Sequence, residues 1–219
     1  LINDKNFINL NKYINDKLKI IIGATTYKNK HYYNSFLLLE NDKIQFFDKK
    51  ILVPFGEFLP LRKYLKFMYP ISGLFDFQSG DQDRILTTKD NVNILPIICY
   101  EIIFDKIFTN INKNEIDLLI NITNDSWFGD KVGPYQHFYL TRIKSLIANK
   151  PLVRVSNNGI SAIIEPNGKV IKSTTLNNVD KLNYKLKINK SISYLNLHNF
   201  FSFYLLTLFF IFLTFKRKI

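Results

Sequence analysis

The single cysteine of the chain, Cys99, stands in a segment that could carry covalent chemistry. The segment is residues 94–104, "ILPIICYEIIF". Cys99 stands at the end of its first apolar run, and Tyr100 and Glu101 follow directly. A thiolate is a good nucleophile, but it needs a base or a positive charge nearby and donors for the oxyanion that its attack creates. Two interpretations are open from this segment: a small hydrophobic residue packed in a strand, or a nucleophile at the strand's end, with following N–H groups directed at a bound carbonyl.

Two other segments place polar residues in turns. The segment "FDKKILVPFGEFLPLR" places Lys49 eight positions before Glu57, and its prolines and glycine exclude a continuous helix. The segment "INITNDSWFGDKVGPYQHF" places an Asn-Asp-Ser cluster and the only tryptophan, Trp127, directly after a predicted buried strand. Loops at strand ends are where rigid scaffolds carry binding and catalytic residues.

The elements that must position these residues are short strands and amphipathic helices. Runs rich in Ile, Val and Leu, bounded by Asn, Gly or Pro, predict buried strands over residues 18–25, 35–40, 92–99, 117–122, 152–156 and 160–164. The dipeptide Asn167-Gly168 predicts a hairpin with a type I′ turn, which needs positive φ at both central residues.

Helices are predicted over residues 5–17, 104–113 and 136–150. The last of these should bury an apolar face opposite Lys144 and Asn149, made by Phe138, Leu140, Ile143, Leu146 and Ile147. Alternating nonpolar strands and helices indicate a layered α/β domain.

The C-terminal segment is the most apolar part of the chain. Residues 197–215 contain no formally charged side chain apart from a protonated His198. About 19 residues at 1.5 Å each reach roughly 28 Å, close to the hydrocarbon thickness of a bilayer. The sequence therefore predicts a transmembrane helix over 195–215 and a cytoplasmic basic tail over 216–219, which puts the preceding domain on the outer face.

Composition sets the outer limits. The 219 residues, 47% of them hydrophobic, suit one domain, which we place at residues 1–190. The net charge of +12 comes from lysines scattered among Asn and Ile, so we predict no nucleic-acid partner. One cysteine and three scattered histidines show no metal-ligand spacing, so we predict no metal and no cofactor. Since the chain begins with Leu1 and shows no signal peptide, we interpret it as N-terminally truncated.

The segments "KKILVPFGEFLPLR", "IICYEIIF" and "NDSWFGDKVGPYQHFYLTRIKSLIANKPLVRVSNNGISAIIEPNGK" together are similar to a known family. They resemble the catalytic domain of the apolipoprotein N-acyltransferases, the membrane-embedded branch of the nitrilase (carbon–nitrogen hydrolase) superfamily. The resemblance covers about residues 20–172 and implies a nitrilase-like αββα four-layer sandwich, incomplete at the N-terminus, followed by one transmembrane helix.

The resemblance also implies a Glu–Lys–Cys triad. Its cysteine matches Cys99, its lysine matches Lys49, and the glutamate near the turn matches Glu57. The residues after the nucleophile match Tyr100 and Glu101 as supporting residues. The family's general-base glutamate, in a strand-end "PE" motif, has no match here, and the resemblance places it upstream of residue 1.

Residues in the second half of the chain have weaker assignments. We expect Trp127 and Phe128 either to line a lipid entrance or to lie in the core at the base of the loop. His137 is predicted to cap or pack its helix. Arg154, and the two asparagines after Ser156 (Asn157 and Asn158), are interpreted as mainly structural.

The implied activity is a two-step acyl transfer through a Cys99 thioester. The donor is a membrane phospholipid, the acceptor is the α-amino group of a lipoprotein's diacylglyceryl-cysteine, and the location is the bacterial inner membrane, with the catalytic domain on the periplasmic face. Two alternatives stay open: a nitrilase-like amidase acting on a small amide, and an inactive membrane-anchored fragment that lacks the general base.

Overall fold

A computed structural model of the chain describes residues 18–40, 43–69, 73, 75–108, 111–188 and 201–216. An antiparallel sheet contains, in order, β1 (Lys19–Lys28), β2 (His31–Glu40) and β3 (Lys43–Asp48). A second sheet has six strands in chain order: β4 (Leu86–Thr87), β5 (Asn93–Ile98), β6 (Leu118–Thr123), β7 (Leu152–Ser156), β8 (Ala162–Ile164) and β9 (Val170–Ser173). The helices are α1 (Gly133–Ala148) and α2 (Phe201–Lys216).

The central strands of the second sheet are buried on both faces. In β5, Ile94 and Ile98 pack in one apolar cluster with Phe36, Leu38 and Phe47 of the first sheet. The alternate residues Leu95 and Ile97 belong to a second cluster that includes Ile147 and Ala148 of α1. The two sheets therefore pack face to face, and α1 covers the far side of the six-stranded sheet. These are three of the four predicted layers, and the fourth stays a prediction.

The parallel strands bring the ends of three strands to one edge. β5 pairs in parallel with β6, and β6 pairs in parallel with β7. The outer pairs of this sheet, β4–β5, β7–β8 and β8–β9, are antiparallel. The carboxyl ends of β5, β6 and β7 consequently lie side by side, and the loops that leave them carry Cys99, Asn124 and Asn157.

All six predicted strands are present, although their bounds shift. β1 and β2 extend to a tight turn at Asn29 and Lys30, both at positive φ, as a type I′ hairpin requires. The sequence prediction missed β3 and the two-residue β4.

The Asn167-Gly168 hairpin is confirmed, but its predicted turn type is wrong. Gly168 has φ +77°, whereas Asn167 is not among the residues at positive φ. The Gly168 N–H donates to the Glu165 carbonyl at 2.9 Å, and the ladder has a bulge between Ile163 and Ile164. The connection is therefore a longer loop that ends on a left-handed glycine.

The predicted helix over 104–113 is wrong. The described residues form short 3₁₀ turns over Asp105–Phe108 and Lys113–Glu115. The Asn112 side chain accepts a hydrogen bond from the Asn114 N–H at 3.1 Å, so it starts a new turn instead of continuing a helix. The predicted helix over 5–17 lies outside the described residues.

The helix predicted over 136–150 is confirmed as α1, but its predicted buried face is partly wrong. Leu140 and Leu146 are 37% and 45% exposed, whereas Lys144 is 4% exposed. Lys144 pairs with Asp105. Other polar residues on the buried face also have partners inside the domain, which residue periodicity cannot reveal, and these include Thr141 and Ser145.

The C-terminal apolar segment forms α2. Among the residues that the structure describes, no helix has the length and hydropathy needed to cross a membrane. The first residues of the predicted span, 195–200, and the basic tail from 217 onward lie outside the described ranges.

The loops that leave β6 and β7 touch at Gly159. A Cβ atom placed on Gly159 would lie 1.9 Å from Asp125 Oδ2 and 2.5 Å from Ser156 Oγ. The loops therefore pack so closely that only a residue without a side chain fits.

We expect Gly159→Ala to lower the free energy of unfolding by about 2 kcal/mol or more, because the added methyl group must displace the buried Asp125 carboxylate. Gly56→Ala is the control, since its new Cβ atom would meet nothing closer than Val53 Cγ1 at 3.6 Å. Urea unfolding of both variants measures the difference. Equal stability of the two would show that the loops do not pack as described.

Candidate active site

Cys99 is the first residue after β5, and its backbone is in an unusual conformation. Its φ is +51°, in the left-handed region, and it opens a 3₁₀ turn over Cys99–Ile103. Residues other than glycine adopt this region uncommonly, and such strain gathers at functional sites. The side chain is half-buried, with Sγ 3.9 Å from the carbonyl oxygen of Asn124. The strand therefore presents the thiol at its end.

A cavity of about 790 Å³ opens in front of Cys99. Five of the six predicted site residues line it: Lys49, Glu57, Cys99, Tyr100 and Trp127. Most of the remaining wall comes from apolar residues of both sheets and their loops, among them Ile21, Val53, Phe77, Ile122, Phe128 and Val155. The sequence segments that looked unrelated along the chain thus meet around one mostly apolar space.

Lys49 and Glu57 form a buried ion pair in this cavity. Lys49 is 1% exposed, and its Nζ lies 2.5 Å from Glu57 Oε2. The same carboxylate accepts hydrogen bonds from the Val53 N–H and from Asn34 Nδ2, each at 2.8 Å. Both charges therefore lie inside the domain and not on a solvated loop. A buried ammonium is tolerated only when it is paired. Here the Glu57 carboxylate accepts from the Lys49 ammonium and from the two other donors.

Glu101 does not line the cavity. Its side chain is fully buried, and its carboxylate accepts hydrogen bonds from the N–H groups of Lys50, Ile51 and Ile98 at 3.0–3.1 Å. Arg84 Nη2 donates to it at 2.9 Å. Glu101 therefore joins the turn after β5 to the segment after β3, directly beside Cys99 and Lys49.

The aromatic residues near Cys99 divide into a packed group and an exposed one. The Tyr100 ring contacts the Phe128 and His137 rings, with centroids 5.8 and 6.0 Å away. Trp127 is 69% exposed at the cavity wall, so the alternative of a core tryptophan is wrong.

A buried network behind Cys99 was not identified from the sequence. Arg154 lies within β7, is 1% exposed, and donates from Nη2 to Asp125 Oδ2 at 2.6 Å. His137 Nδ1 lies 3.0 Å from the other oxygen of Asp125. An arginine inside the apolar strand "LVRVS" was the available signal, because a buried strand rarely carries an unpaired charge.

The electrostatics of this network follow from its burial. Burial acts to raise the pKa of Asp125, but the hydrogen bond from His137 and the charge of Arg154 outweigh it and lower the pKa to about 2. Burial lowers the pKa of His137, and the Arg154 charge adds to this against the opposing effect of Asp125. At neutral pH the imidazole is therefore uncharged, and its Nδ1 contacts both the Asp125 carboxylate and, at 3.1 Å, Arg154 Nη2. His137 is a packing and hydrogen-bonding residue within α1, not a cap, because the helix begins at Gly133.

Within the described ranges, no group of three or more His, Cys, Asp or Glu side chains is arranged to hold a metal ion. The chemistry that this site offers is that of a thiol that shares a cavity with a buried Lys49–Glu57 pair.

Comparison with other sequences agrees with the motifs. The carbon-nitrogen hydrolase family model matches residues 15–182. The chain is 39% identical to the apolipoprotein N-acyltransferase of Rickettsia prowazekii (strain Madrid E), over 74% of this chain and 34% of that protein. It is 44% identical to that of Wigglesworthia glossinidia brevipalpis, over 70% of this chain and 32% of that protein. The chain thus spans about a third of the length of these curated relatives, and they confirm the resemblance.

Solved structures share the fold at low sequence identity. The glutamine-dependent NAD⁺ synthetase of Acinetobacter baumannii superposes with a TM-score of 0.61 at 16% identity, over 80% of this chain and 32% of that one. A carbon-nitrogen hydrolase from Helicobacter pylori G27 gives a TM-score of 0.58 at 15% identity, over 78% of this chain and 62% of that one. The sandwich is therefore nitrilase-like. The family model also matches well over half of the residues of the chain, so the chain belongs to the carbon-nitrogen hydrolase family.

Proposed function

We propose that this chain is the catalytic part of an apolipoprotein N-acyltransferase. In this proposal Cys99 accepts a fatty acyl chain from a membrane phospholipid as a thioester. The chain is then passed to the α-amino group of a lipoprotein's N-terminal diacylglyceryl-cysteine. The observation that carries the proposal is the buried Lys49–Glu57 pair in the same apolar cavity as the left-handed Cys99.

In the first step the Cys99 thiolate attacks the carbonyl carbon of the phospholipid ester, and a C–S bond forms. The tetrahedral intermediate collapses with loss of the C–O bond, and the alkoxide takes up the proton that the Cys99 thiol released and leaves as a lysophospholipid. We assign two donors to the developing oxyanion: the Lys49 ammonium and the N–H of Tyr100, the residue after Cys99 in the 3₁₀ turn. Glu57, whose oxygens already accept from three donors, positions Lys49.

In the second step the lipoprotein amine attacks the thioester carbonyl. A C–N bond forms, the C–S bond breaks, and the departing thiolate takes up the proton that the amine loses, which returns Cys99 to its thiol form. A thioester divides one difficult acyl transfer into two easier ones and reacts readily with amines. The apolar cavity wall would hold the acyl chain between the steps.

The surface near the cavity supports a lipid substrate. Trp127 is 69% exposed, and the segment that carries Glu57 continues into exposed Tyr64 and Phe67, at 81% and 74%. We place the protein at the bacterial inner membrane, with the catalytic domain on the periplasmic face and α2 as an anchor. Of the eight described side chains of α2, one is Thr207, and the other seven are large hydrophobic residues that are at least 46% exposed: Tyr204, Leu205, Leu206, Leu208, Phe209, Phe210 and Ile211. The described part of the protein leaves this hydrophobic surface largely exposed, and lipid would bury it.

Acyl transfer from phospholipid to a diacylglyceryl-cysteine peptide tests the function. We expect Lys49→Met to slow transfer by about 100-fold, because the main charge that stabilises the oxyanion is lost. Lys50→Met is the matched control, since among the described residues the one hydrogen bond of Lys50 Nζ is to the Asp81 carbonyl, at 3.5 Å. Equal rates for the two variants would remove Lys49 from the mechanism.

The same preparation separates the two rivals. Hydrolysis of a short-chain amide without acyl transfer would identify an amidase. If a folded protein that includes any residues encoded upstream shows neither amide hydrolysis nor acyl transfer, the inactive alternative holds.

Membrane attachment is tested by cosedimentation with phospholipid vesicles. We expect the combined replacement of Leu206, Phe209 and Phe210 by Ser to lower vesicle binding at least about tenfold, because the apolar area that enters lipid is reduced. Val179→Ser is the control, since Val179 is 96% exposed outside α2. Unchanged binding of the triple variant would contradict the role of α2.

A further inference from the structure

Arg154 is the most heavily hydrogen-bonded side chain behind the cavity. Its Nη1 donates to Asn121 Oδ1 at 2.5 Å and to Thr141 Oγ1 at 3.0 Å. Its Nη2 donates to Asp125 Oδ2 at 2.6 Å, and its Nε donates to the Ile160 carbonyl at 3.1 Å. The planar guanidinium is therefore held by residues of β6, of α1 and of the loops that follow β6 and β7. The mechanism described above does not use it.

One arm of this network reaches the Cys99 backbone. Asn121 lies in β6 opposite Ile97 of β5. Its Nδ2 donates to the Ile97 carbonyl at 3.1 Å and to the Cys99 carbonyl at 3.4 Å. Because Arg154 holds the oxygen of this amide, the amide nitrogen can point only toward the β5 end. Arg154 thus supports the left-handed Cys99 through one intermediate residue.

The second arm reaches the Cys99 thiol. Asp125, held by Arg154, also accepts from Thr123 Oγ1 at 2.9 Å and anchors the 3₁₀ turn Asp125–Phe128. The residue before this turn is Asn124, whose carbonyl oxygen lies 3.9 Å from Cys99 Sγ. The same ion pair therefore sets the wall of the cavity that contacts the sulfur.

Arg154 is also a buried charge on this side of the cavity. Burial lowers the pKa of Arg154, while the Asp125 carboxylate and the negative form of Cys99 act to raise it. The other titratable groups around the turn are Lys49 and Glu57 across the cavity, Glu101 with Arg84 beneath it, His137 and Tyr100. Arg154 is the cation on the β7 side, as Lys49 is on the β3 side.

We propose that Arg154 is a positioning residue for the nucleophile: its guanidinium holds the Cys99 carbonyl through Asn121 and the Asn124 carbonyl through Asp125. This inference rests on the proposed function only in taking Cys99 as the nucleophile. The thiol can be probed without any lipid, so its test is separate from the test of acyl transfer.

The test is the rate of alkylation of Cys99 by iodoacetamide, followed on the Cys99 peptide by mass spectrometry across a pH series. We expect Arg154→Met to slow alkylation at pH 7 by about tenfold, because the buried network that holds the Cys99 and Asn124 carbonyls is broken. Arg154→Lys keeps the charge but has no planar fork, so it should recover only part of the rate. Arg142→Met is the matched control, since Arg142 Nε donates to the Gly168 carbonyl at 3.1 Å, far along the chain from Cys99.

Asp125→Asn tests one arm of the network alone. The amide keeps the shape of the carboxylate but loses the ion pair with Arg154, while the Asn121 arm stays, so alkylation at pH 7 should slow less than in Arg154→Met. A folded Arg154→Met protein that reacts like the wild type would overturn the proposal. So would an Asp125→Asn protein slowed as much as Arg154→Met. If Arg154→Met does not fold, Arg154→Lys decides: a folded Arg154→Lys protein that reacts like the wild type overturns the assignment.

Discussion

The carboxylate of Glu101 is the constraint on which the site depends. Lys49 follows a strand of one sheet and Cys99 follows a strand of the other, so packing of the two sheets alone leaves their loops free to separate. The fully buried carboxylate of Glu101 accepts from the backbone beside each of them, at Lys50 and Ile51 on one side and at Ile98 on the other. Burying a carboxylate costs several kcal/mol, and only this full set of donors, with Arg84, offsets it. Glu101 therefore fixes the spacing of the chemical groups without touching the cavity.

A second buried charge pair supports the site from the other side of the sheet. Arg154 and Asp125 join β7 to the loop after β6, and Asn121 carries the connection on to β5. Parallel strands make this possible, because their carboxyl ends meet at one edge and their loops pack against each other. The cost of strain at Cys99 is thus distributed over two networks, one beneath the turn and one behind it.

The sequence predicts the fold class and five of the residues that line the cavity. Short Ile- and Leu-rich runs predicted every long strand of the second sheet, and motif resemblance brought Lys49, Glu57 and Cys99 to one site. What periodicity could not predict were polar groups that are buried with partners far away in sequence. Periodicity places Lys144 on the solvent face, because its partner Asp105 lies 39 positions earlier. The sequence indicates only a structural role for Arg154, because Asn121 and Asp125 become its neighbours only when β6 and β7 pair.

The central claim is that Cys99 carries the acyl chain between donor and acceptor. Its most direct test is the mass of the Cys99 peptide after the protein is incubated with a phospholipid of defined acyl chains and no lipoprotein acceptor. The account predicts a gain of one acyl group on Cys99 that hydroxylamine removes and that a diacylglyceryl-cysteine peptide discharges. Acyl transfer that proceeds with Cys99 replaced by Ala would contradict it.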